Sequence, residues 1–301
     1  MSAIDVLCVG TANYDLTLGV TRQPEPDEKT VASWLVECGG GPAANAAVTV
    51  ARLGGSVAFL GYLGRDVWGE RHLQELEGAG VLTDFVVRGD FPTPLSVVLV
   101  KPDGQRSVVH YRASTPYLQP ESFDLGNLAP RLILFDGHEP ELSFRLARQA
   151  HARGILTLLD AGSVHRGTRG LLDGSDCLID YLVGSEVFAH AFTGLAGEEQ
   201  AARALTAFSS NVVVTLGERG LVWATTAGQG RLPAFPVPVV DTTGAGDAFH
   251  GALAVCLAQG RAWAESLRYA SAVAAICCTK RGARVELVSH QQVIQFLGRV
   301  G

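Results

Sequence analysis

The sequence predicts an α/β protein built on a mostly parallel sheet. Short runs rich in Val, Ile and Leu recur along the chain, and stretches of helical length fill most of the gaps between them. The 301 residues are 47% hydrophobic and 18% charged, which suits a chain with a large core. Runs that are apolar at every position read as strands covered on both faces, and strands that alternate with helices pair in parallel.

In chain order the expected strands are Ile4–Val9, Ser56–Leu60, Leu132–Phe135, Ile155–Leu159, Leu178–Val183 and Val212–Leu216. The expected helices between them are Pro42–Leu53, Glu70–Gly78, Glu141–Ala152 and Glu198–Phe208, several followed by a glycine placed to end a helix. Ala248–Arg281 reads as helical almost throughout with a break near Gly260, and a last helix covers His290–Gly298. These C-terminal helices are expected to cover one face of the sheet. Two segments break the rhythm, Thr11–Val36 and Thr93–Arg112. In the second, Leu95–Val100 and Ser107–Tyr111 flank Pro102-Asp103-Gly104, a hairpin signal. Strands inserted without helices of their own predict a small accessory sheet standing as a lid over a cleft. The reading is one domain over residues 1–301, with no internal repeat, low-complexity tract or linker.

Composition excludes several classes of function. No run approaches the about 20 apolar residues of a membrane span, so no membrane partner is expected. The 24 Lys and Arg against 30 Asp and Glu give a net charge of −6 with no basic run, so no nucleic-acid partner is expected. The stretch Met1–Gly10 lacks the basic start of a signal peptide. Six cysteines without a CxxC pair, mostly in apolar stretches, read as reduced, buried thiols in a cytoplasmic protein.

The sharpest chemical signal is Val239-Val240-Asp241-Thr242-Thr243-Gly244-Ala245-Gly246-Asp247-Ala248, a strand end running through a glycine-rich turn into a long helix. Backbone N–H groups converge at such a helix start and bind an anion such as phosphate. A carboxylate there repels that ligand, so Asp247 calls for a reason, and taking the proton of an attacking hydroxyl is one. Asp241 and Asp247 equally suit a turn and a helix cap. The spacing is not a dinucleotide fingerprint, and no Gly-Lys pair exists to form a Walker A loop. A second signal, Cys38-Gly39-Gly40-Gly41-Pro42-Ala43-Ala44-Asn45, opens an alanine-rich helix with three glycines that allow close approach of a ligand. A tight turn leading into a closely packed helix accounts for it as well. Asn13 and Asp15 follow the first strand, where α/β folds place ligand groups.

Together with Val213-Val214-Thr215-Leu216-Gly217-Glu218-Arg219-Gly220, these strings resemble the ribokinase-like (PfkB) carbohydrate kinases over nearly the whole chain. In detail they are most similar to the sulfofructose kinase and fructokinase branch. The resemblance implies a ribokinase-like three-layer α/β/α sandwich with a small β-sheet lid. It implies transfer of the γ-phosphoryl of ATP to a sugar hydroxyl, and homodimerisation through the lid sheet. On this resemblance Asp247 is the catalytic base, and the amides of Gly244, Ala245 and Gly246 form the anion hole. Asn13, Asp15, Gly40, Gly41 and Asn45 match sugar-binding positions, and Thr215 and Gly217 match the nucleotide turn. Asp241 and Thr243 match a potassium site to which the loop Thr279–Ala283 adds carbonyls.

One stretch departs from the family pattern. Its Asn-x-x-Glu motif is replaced by Ser185-Glu186-Val187-Phe188, so Glu186 is expected to serve Mg²⁺ and phosphate through water. Mg²⁺ itself is expected because ATP arrives with it. Lys29, His110 and His138 fall on sulfonate-binding positions of the sulfofructose branch. A histidine that is mostly neutral at pH 7 is a poor partner for a fixed anion, so the expected acceptor is a neutral sugar, fructose first and ribose next. Alternatives are sulfofructose, a nucleoside such as adenosine, and a non-catalytic sugar-binding protein on a kinase fold.

Overall fold

The computed structural model describes residues 4–112, 115–173, 177–282, 284 and 288–300. In chain order its strands are β1 (Val6–Val9), β2 (Asn13–Gly19), β3 (Trp34–Gly40), β4 (Val57–Leu60), β5 (Tyr62–Gly64), β6 (Val87–Gly89), β7 (Leu95–Val100) and β8 (Arg106–Tyr111). Then follow β9 (Leu132–Phe135), β10 (Leu156–Ala161), β11 (Ile179–Ser185), β12 (Ser209–Thr215), β13 (Leu221–Thr225) and β14 (Gln229–Leu232). The helices are α1 (Pro42–Arg52), α2 (Val67–Ala79), α3 (Pro140–Ala152), α4 (Arg166–Leu172), α5 (Glu186–Thr193), α6 (Glu198–Leu205), α7 (Ala245–Ala258), α8 (Trp263–Cys277) and α9 (His290–Val300).

The large sheet runs in the order β14-β13-β12-β11-β10-β9-β1-β4. Every pair from β4 to β12 is parallel, and β13 and β14 add an antiparallel edge. Alternation along each strand divides the core in two. Val6, Cys8, Phe59, Leu134 and Val213 pack toward α1, α2, α7, α8 and α9, while Leu7, Val9, Leu60, Phe135 and Val214 pack toward α3, α4, α5 and α6. The result is the α/β/α sandwich that the resemblance implies, with its apolar strands buried on both faces.

The lid is a second sheet of order β3-β2-β7-β8. It extends to Gly40, beyond the expected end of the first lid segment at Val36, because β2 and β3 stay paired up to Asn13 and Gly40. The expected hairpin is β7–β8, antiparallel from Leu95 opposite Tyr111 to Val100 opposite Arg106. Helix α2 starts at Val67 rather than Glu70 because Asp66 caps it, accepting from the Gly69 amide at 2.8 Å. The long C-terminal helix begins at Ala245 and breaks around Gly260, whose φ is 72°. The cysteines are free. Cys8, Cys38 and Cys256 are buried and Cys277 and Cys278 partly so, but Cys177 is exposed just past α4, outside the apolar core. No helix among the described residues is long and apolar enough to cross a membrane.

The order of the large sheet reverses at β1, which has β4 on one side and β9 on the other. A crevice therefore opens past the carboxyl ends of β1 and β9, where the helix-bearing connections diverge, and the lid stands beside it.

Candidate active site

Small residues bring the two glycine-led helices together. A Cβ on Gly251 of α7 would lie 2.5 Å from the carbonyl oxygen of Ala46 of α1, so only glycine permits this approach. Closeness of the two helices lets Asn45 of α1 reach Asp247 of α7, and its Nδ2 donates to Asp247 Oδ2 at 2.6 Å. Gly244 precedes α7 with φ 76°, a left-handed turn that turns the chain into the helix. The first-turn amides have no carbonyl one turn earlier to bond, so they are open to an anion. Ala245 is the exception, since its amide already donates to the Thr242 carbonyl at 3.3 Å.

Asp247, Gly244 and Gly246 line a cavity of about 370 Å³ together with Asn13, Asp15, Asn45, Ser96, Arg106, Asp160, Ser185, Thr215, Thr243 and His250. Its size is that of an ordinary small-molecule site. At the lid end, Asn13 Nδ2 donates to Asp15 Oδ1 and, at 2.9 Å, to Ser96 Oγ, which pairs with His110 Nδ1 at 3.2 Å. Asp15 is 6% exposed, and a side chain on Gly40 would fall within 2.2 Å of its carboxylate. Burial pushes the Asp15 carboxyl up to about 6, against the pull of the Ser96 hydroxyl, the Arg284 charge and Asn13. Gly41 (φ 94°) is the cap of α1, where a Cβ would stand 2.4 Å from the Thr11 carbonyl oxygen. Burial, and then the neighbouring His138 and Arg112, hold His110 below the usual histidine range, so its ring is neutral at pH 7. His138 stacks on His165 with ring centres 4.6 Å apart.

At the other end of the cavity the structure brings in groups that the sequence reading did not single out. Asp160, on the carboxyl end of β10, faces His250 Nδ1 at 3.3 Å, and the same nitrogen meets the Gly246 carbonyl at 2.6 Å. Burial pushes Asp160 up to about 6, countered by His250. Arg106, the first residue of β8, donates to Thr242 Oγ1 at 2.8 Å and so ties the lid to the turn before the anion site. Asp136, at the end of β9, accepts from the amides of Thr11 (2.7 Å), Ala43 (3.2 Å) and His138 (2.9 Å). It thereby joins the crevice's two walls. Asp136 and Asp160 both stand at strand carboxyl ends, the signal that could have found them. A cation leaving the hairpin turn was the signal for Arg106. Nothing local marks Arg284.

The remaining predicted residues divide. Thr215 lines the cavity, while Gly217 opens the short turn just beyond it. Glu186 lies outside the cavity lining, its carboxylate held by Arg219 at 2.6 Å at the start of α5. Phe188, at the position of the family's Glu, is fully buried against Phe192. Lys29 is exposed in the connection from β2 to β3, also outside the lining. Asp241 is 1% exposed and accepts from the Thr243 amide (2.8 Å), the Thr243 hydroxyl (2.6 Å) and the Gly282 amide (2.8 Å). The loop expected to add carbonyls is thus tied to Asp241, although Ala283 lies outside the described residues. Among the described residues no cluster of three or more His, Cys, Asp or Glu forms a ready metal cage.

The chain is similar to known proteins over most of its length. The chain is 26% identical over 298 residues to a ribokinase of Bacillus subtilis, covering 97% of this chain and 99% of that one. It is 30% identical over 283 residues to a fructokinase of Zea mays, covering 86% and 88%. The structure of an Arabidopsis thaliana ribokinase complexed with ribose and ATP superposes with a TM-score of 0.82 at 28% identity, covering 98% of this chain and 99% of that one. The model of the pfkB family carbohydrate kinases matches residues 3–289, and the chain belongs to that family.

Proposed function

We propose that the chain transfers the γ-phosphoryl of ATP to a hydroxyl of a neutral ketose or pentose, with Asp247 as the base. The observation that carries this reading is Asp247 beside the open amides at the start of α7, in one cavity with Asn13, Asp15 and Asn45. Asp15 and the side-chain oxygen of Asn13 would accept from vicinal hydroxyls, the Asn13 amide protons being taken by Asp15 and Ser96, and would place the acceptor oxygen toward Asp247 Oδ1, since Oδ2 is taken by Asn45. Asp247 removes the hydroxyl proton, the oxygen bonds to the γ-phosphorus, and the bond to the bridging oxygen of ADP breaks. The Gly246 amide, the helix start and Arg106 stabilise the charge that develops on the transferring group. The lid, latched through Arg106 and Thr242, excludes water that would otherwise take the phosphoryl.

Mg²⁺ binds nucleotide phosphates while keeping several waters, so it needs only one or two protein carboxylates. Asp160 fits that need, since it faces the cavity beside Ser185, whereas Glu186 is held by Arg219 outside the lining. Bound there, the ion would offset charge on the phosphates. A potassium ion would take oxygen ligands, and Asp241 and Thr243 offer a buried carboxylate and hydroxyl to which the following loop is tied through the Gly282 amide.

For the acceptor, the neutral His110 and the exposed Lys29 support an uncharged sugar over a sulfonated one. The ribokinase and fructokinase relatives support fructose and ribose as the first candidates. Free thiols suit a reducing, cytoplasmic setting. The exposed Val108, Val109 and Tyr111 on edge strand β8 suit a homodimer formed through the lid sheet.

The test is ADP release with Mg-ATP against fructose, ribose, sulfofructose, fructose phosphates, inositol and adenosine, with and without K⁺. A response to fructose or ribose is expected. A response only to sulfofructose or adenosine overturns the substrate assignment, and nucleotide binding without turnover on any acceptor overturns the kinase reading.

A further inference from the structure

Arg284 is 7% exposed, and its guanidinium has no solvent to serve it. Instead it meets four protein groups. Its Nε donates to Asn45 Oδ1 at 2.6 Å, its Nη2 donates to the Gly40 carbonyl at 3.3 Å, and its Nη1 lies 2.7 Å from His72 Nε2 and 3.9 Å from Glu75 Oε2. Space for it is made by Gly39, where a Cβ would stand 2.3 Å from Nη1. Glu75 in turn accepts from the Gly39 amide at 2.7 Å, closing the slot.

A guanidinium has donors only, and this decides the orientation of what it touches. An Asn side chain is nearly symmetric in shape, so its neighbours choose which end points where. With Arg284 on one side, the oxygen of Asn45 must face the guanidinium and the NH₂ must face the opposite way. That opposite direction is Asp247 Oδ2. His72 obeys the same constraint: its Nε2 accepts, so the ring is neutral with its proton on Nδ1. Burial and then the charge of Arg284 hold it well below the usual histidine range.

We propose that Arg284 is a positioning residue for phosphoryl transfer, one that fixes the amide of Asn45 so that Asn45 donates to Asp247 and leaves the other carboxylate oxygen free for the acceptor hydroxyl. The proposal rests on the reading of Asp247 as the base. Arg284 reaches neither sugar nor nucleotide, since the cavity is lined by Asn45 and not by Arg284. Its action is therefore on turnover and not on nucleotide affinity.

The test combines a spectroscopic readout with kinetics. The side-chain amide of Asn45 is observed by ¹H–¹⁵N correlation and assigned by its loss in Asn45→Ala. In the wild-type protein it is expected as a slowly exchanging pair, and in Arg284→Lys, which keeps the charge but not the fork, as broadened or rapidly exchanging. With Mg-ATP and fructose or ribose, Arg284→Lys is expected to lower kcat 10- to 100-fold with KM for ATP within twofold. In an Asn45→Ala background the same change is expected to cost less than twofold more, because the amide to be oriented is gone. Asn45→Asp, which pairs with Arg284 and so keeps the fold, is expected to lose at least 100-fold in kcat because a carboxylate then faces Asp247.

An unchanged Asn45 amide in Arg284→Lys overturns the proposal, whatever the turnover. So does an undiminished kcat, or a full multiplicative loss in the Asn45→Ala background. Asp247→Asn measured in parallel separates the two claims. If Asp247→Asn retains its rate, the base assignment fails and takes this proposal with it; if it is inactive while Arg284→Lys is normal, only the role of Arg284 fails.

Discussion

Replacing Asp15 by asparagine should stabilise the protein while weakening its hold on the sugar. In the folded chain burial raises the Asp15 carboxyl from 3.8 to about 6, even with the attraction of Arg284 included. At 1.36 kcal/mol per pH unit, keeping that carboxylate ionised in the fold costs about 3 kcal/mol at pH 8. The sign follows from proton binding. Between about pH 4 and 6 the folded state holds a proton that the unfolded state has lost, so stability falls as pH rises through this window and is level above it. An amide at this position needs no proton, so the advantage of Asp15→Asn should be near zero at pH 4, grow up to pH 6 and stay constant to pH 8. Allowing for the amide's own desolvation, about 2 kcal/mol should survive, or roughly 4 °C in Tm for a chain of this size. Thermal unfolding of both proteins from pH 4 to pH 8 measures it. The cost appears in function, where losing a charged acceptor for sugar hydroxyls should raise the sugar KM at least about 10-fold. A variant that is less stable than wild type at pH 8, or whose advantage is the same at pH 4 and pH 8, would refute the argument that burial strains Asp15.

The remaining predictions concern the phosphoryl end of the cavity. Asp160→Asn should raise the Mg²⁺ concentration needed for half-maximal rate by at least about 10-fold, while Glu186→Ala should change it less than about threefold. The reverse ranking in a Mg²⁺ titration would restore Glu186 to the metal. Arg106→Ala removes a cation beside the anion site and the lid's bond to Thr242, and should lower kcat/KM by about 10- to 100-fold. A loss under threefold in steady-state kinetics would show that the latch does not bear on transfer. Arg284→Lys should lower kcat without changing the KM for ATP, as argued above.

The sheet was legible because its strands carry their own signal. Leu132–Phe135 is apolar at every position and forms a strand with those bounds. Pro42 and the alanines after it mark α1 just as directly, proline fitting the first helical turn and alanine the close approach to α7. What stayed hidden lacks periodicity. Helix α4, Arg166–Leu172, contains Gly167 and Gly170, and the antiparallel β13 and β14 are short segments, β13 largely buried and β14 half-open to solvent. At the site, Asp247 could be singled out because a carboxylate at an anion-binding turn is chemically out of place. Arg284, by contrast, follows Lys280 and Arg281 as one more cation that no pattern singles out. It gains meaning only when the fold brings it to Asn45, 239 positions earlier. Glu186 shows the converse limit: the sequence places it near a motif, but its partner Arg219 decides where its carboxylate goes.

The central claim is that Asp247 takes the proton of the acceptor hydroxyl, and Asp247→Asn tests it most directly because it keeps the shape and the contact with Asn45 while removing the base. The measurement is kcat for ADP formation with Mg-ATP and the responding sugar, alongside sugar and ATP binding by calorimetry and the melting curve of the variant. The account predicts an intact fold, binding within a few-fold of wild type and kcat lowered by about 100- to 10,000-fold. A folded, ligand-binding variant that turns over within about threefold of wild type would contradict it.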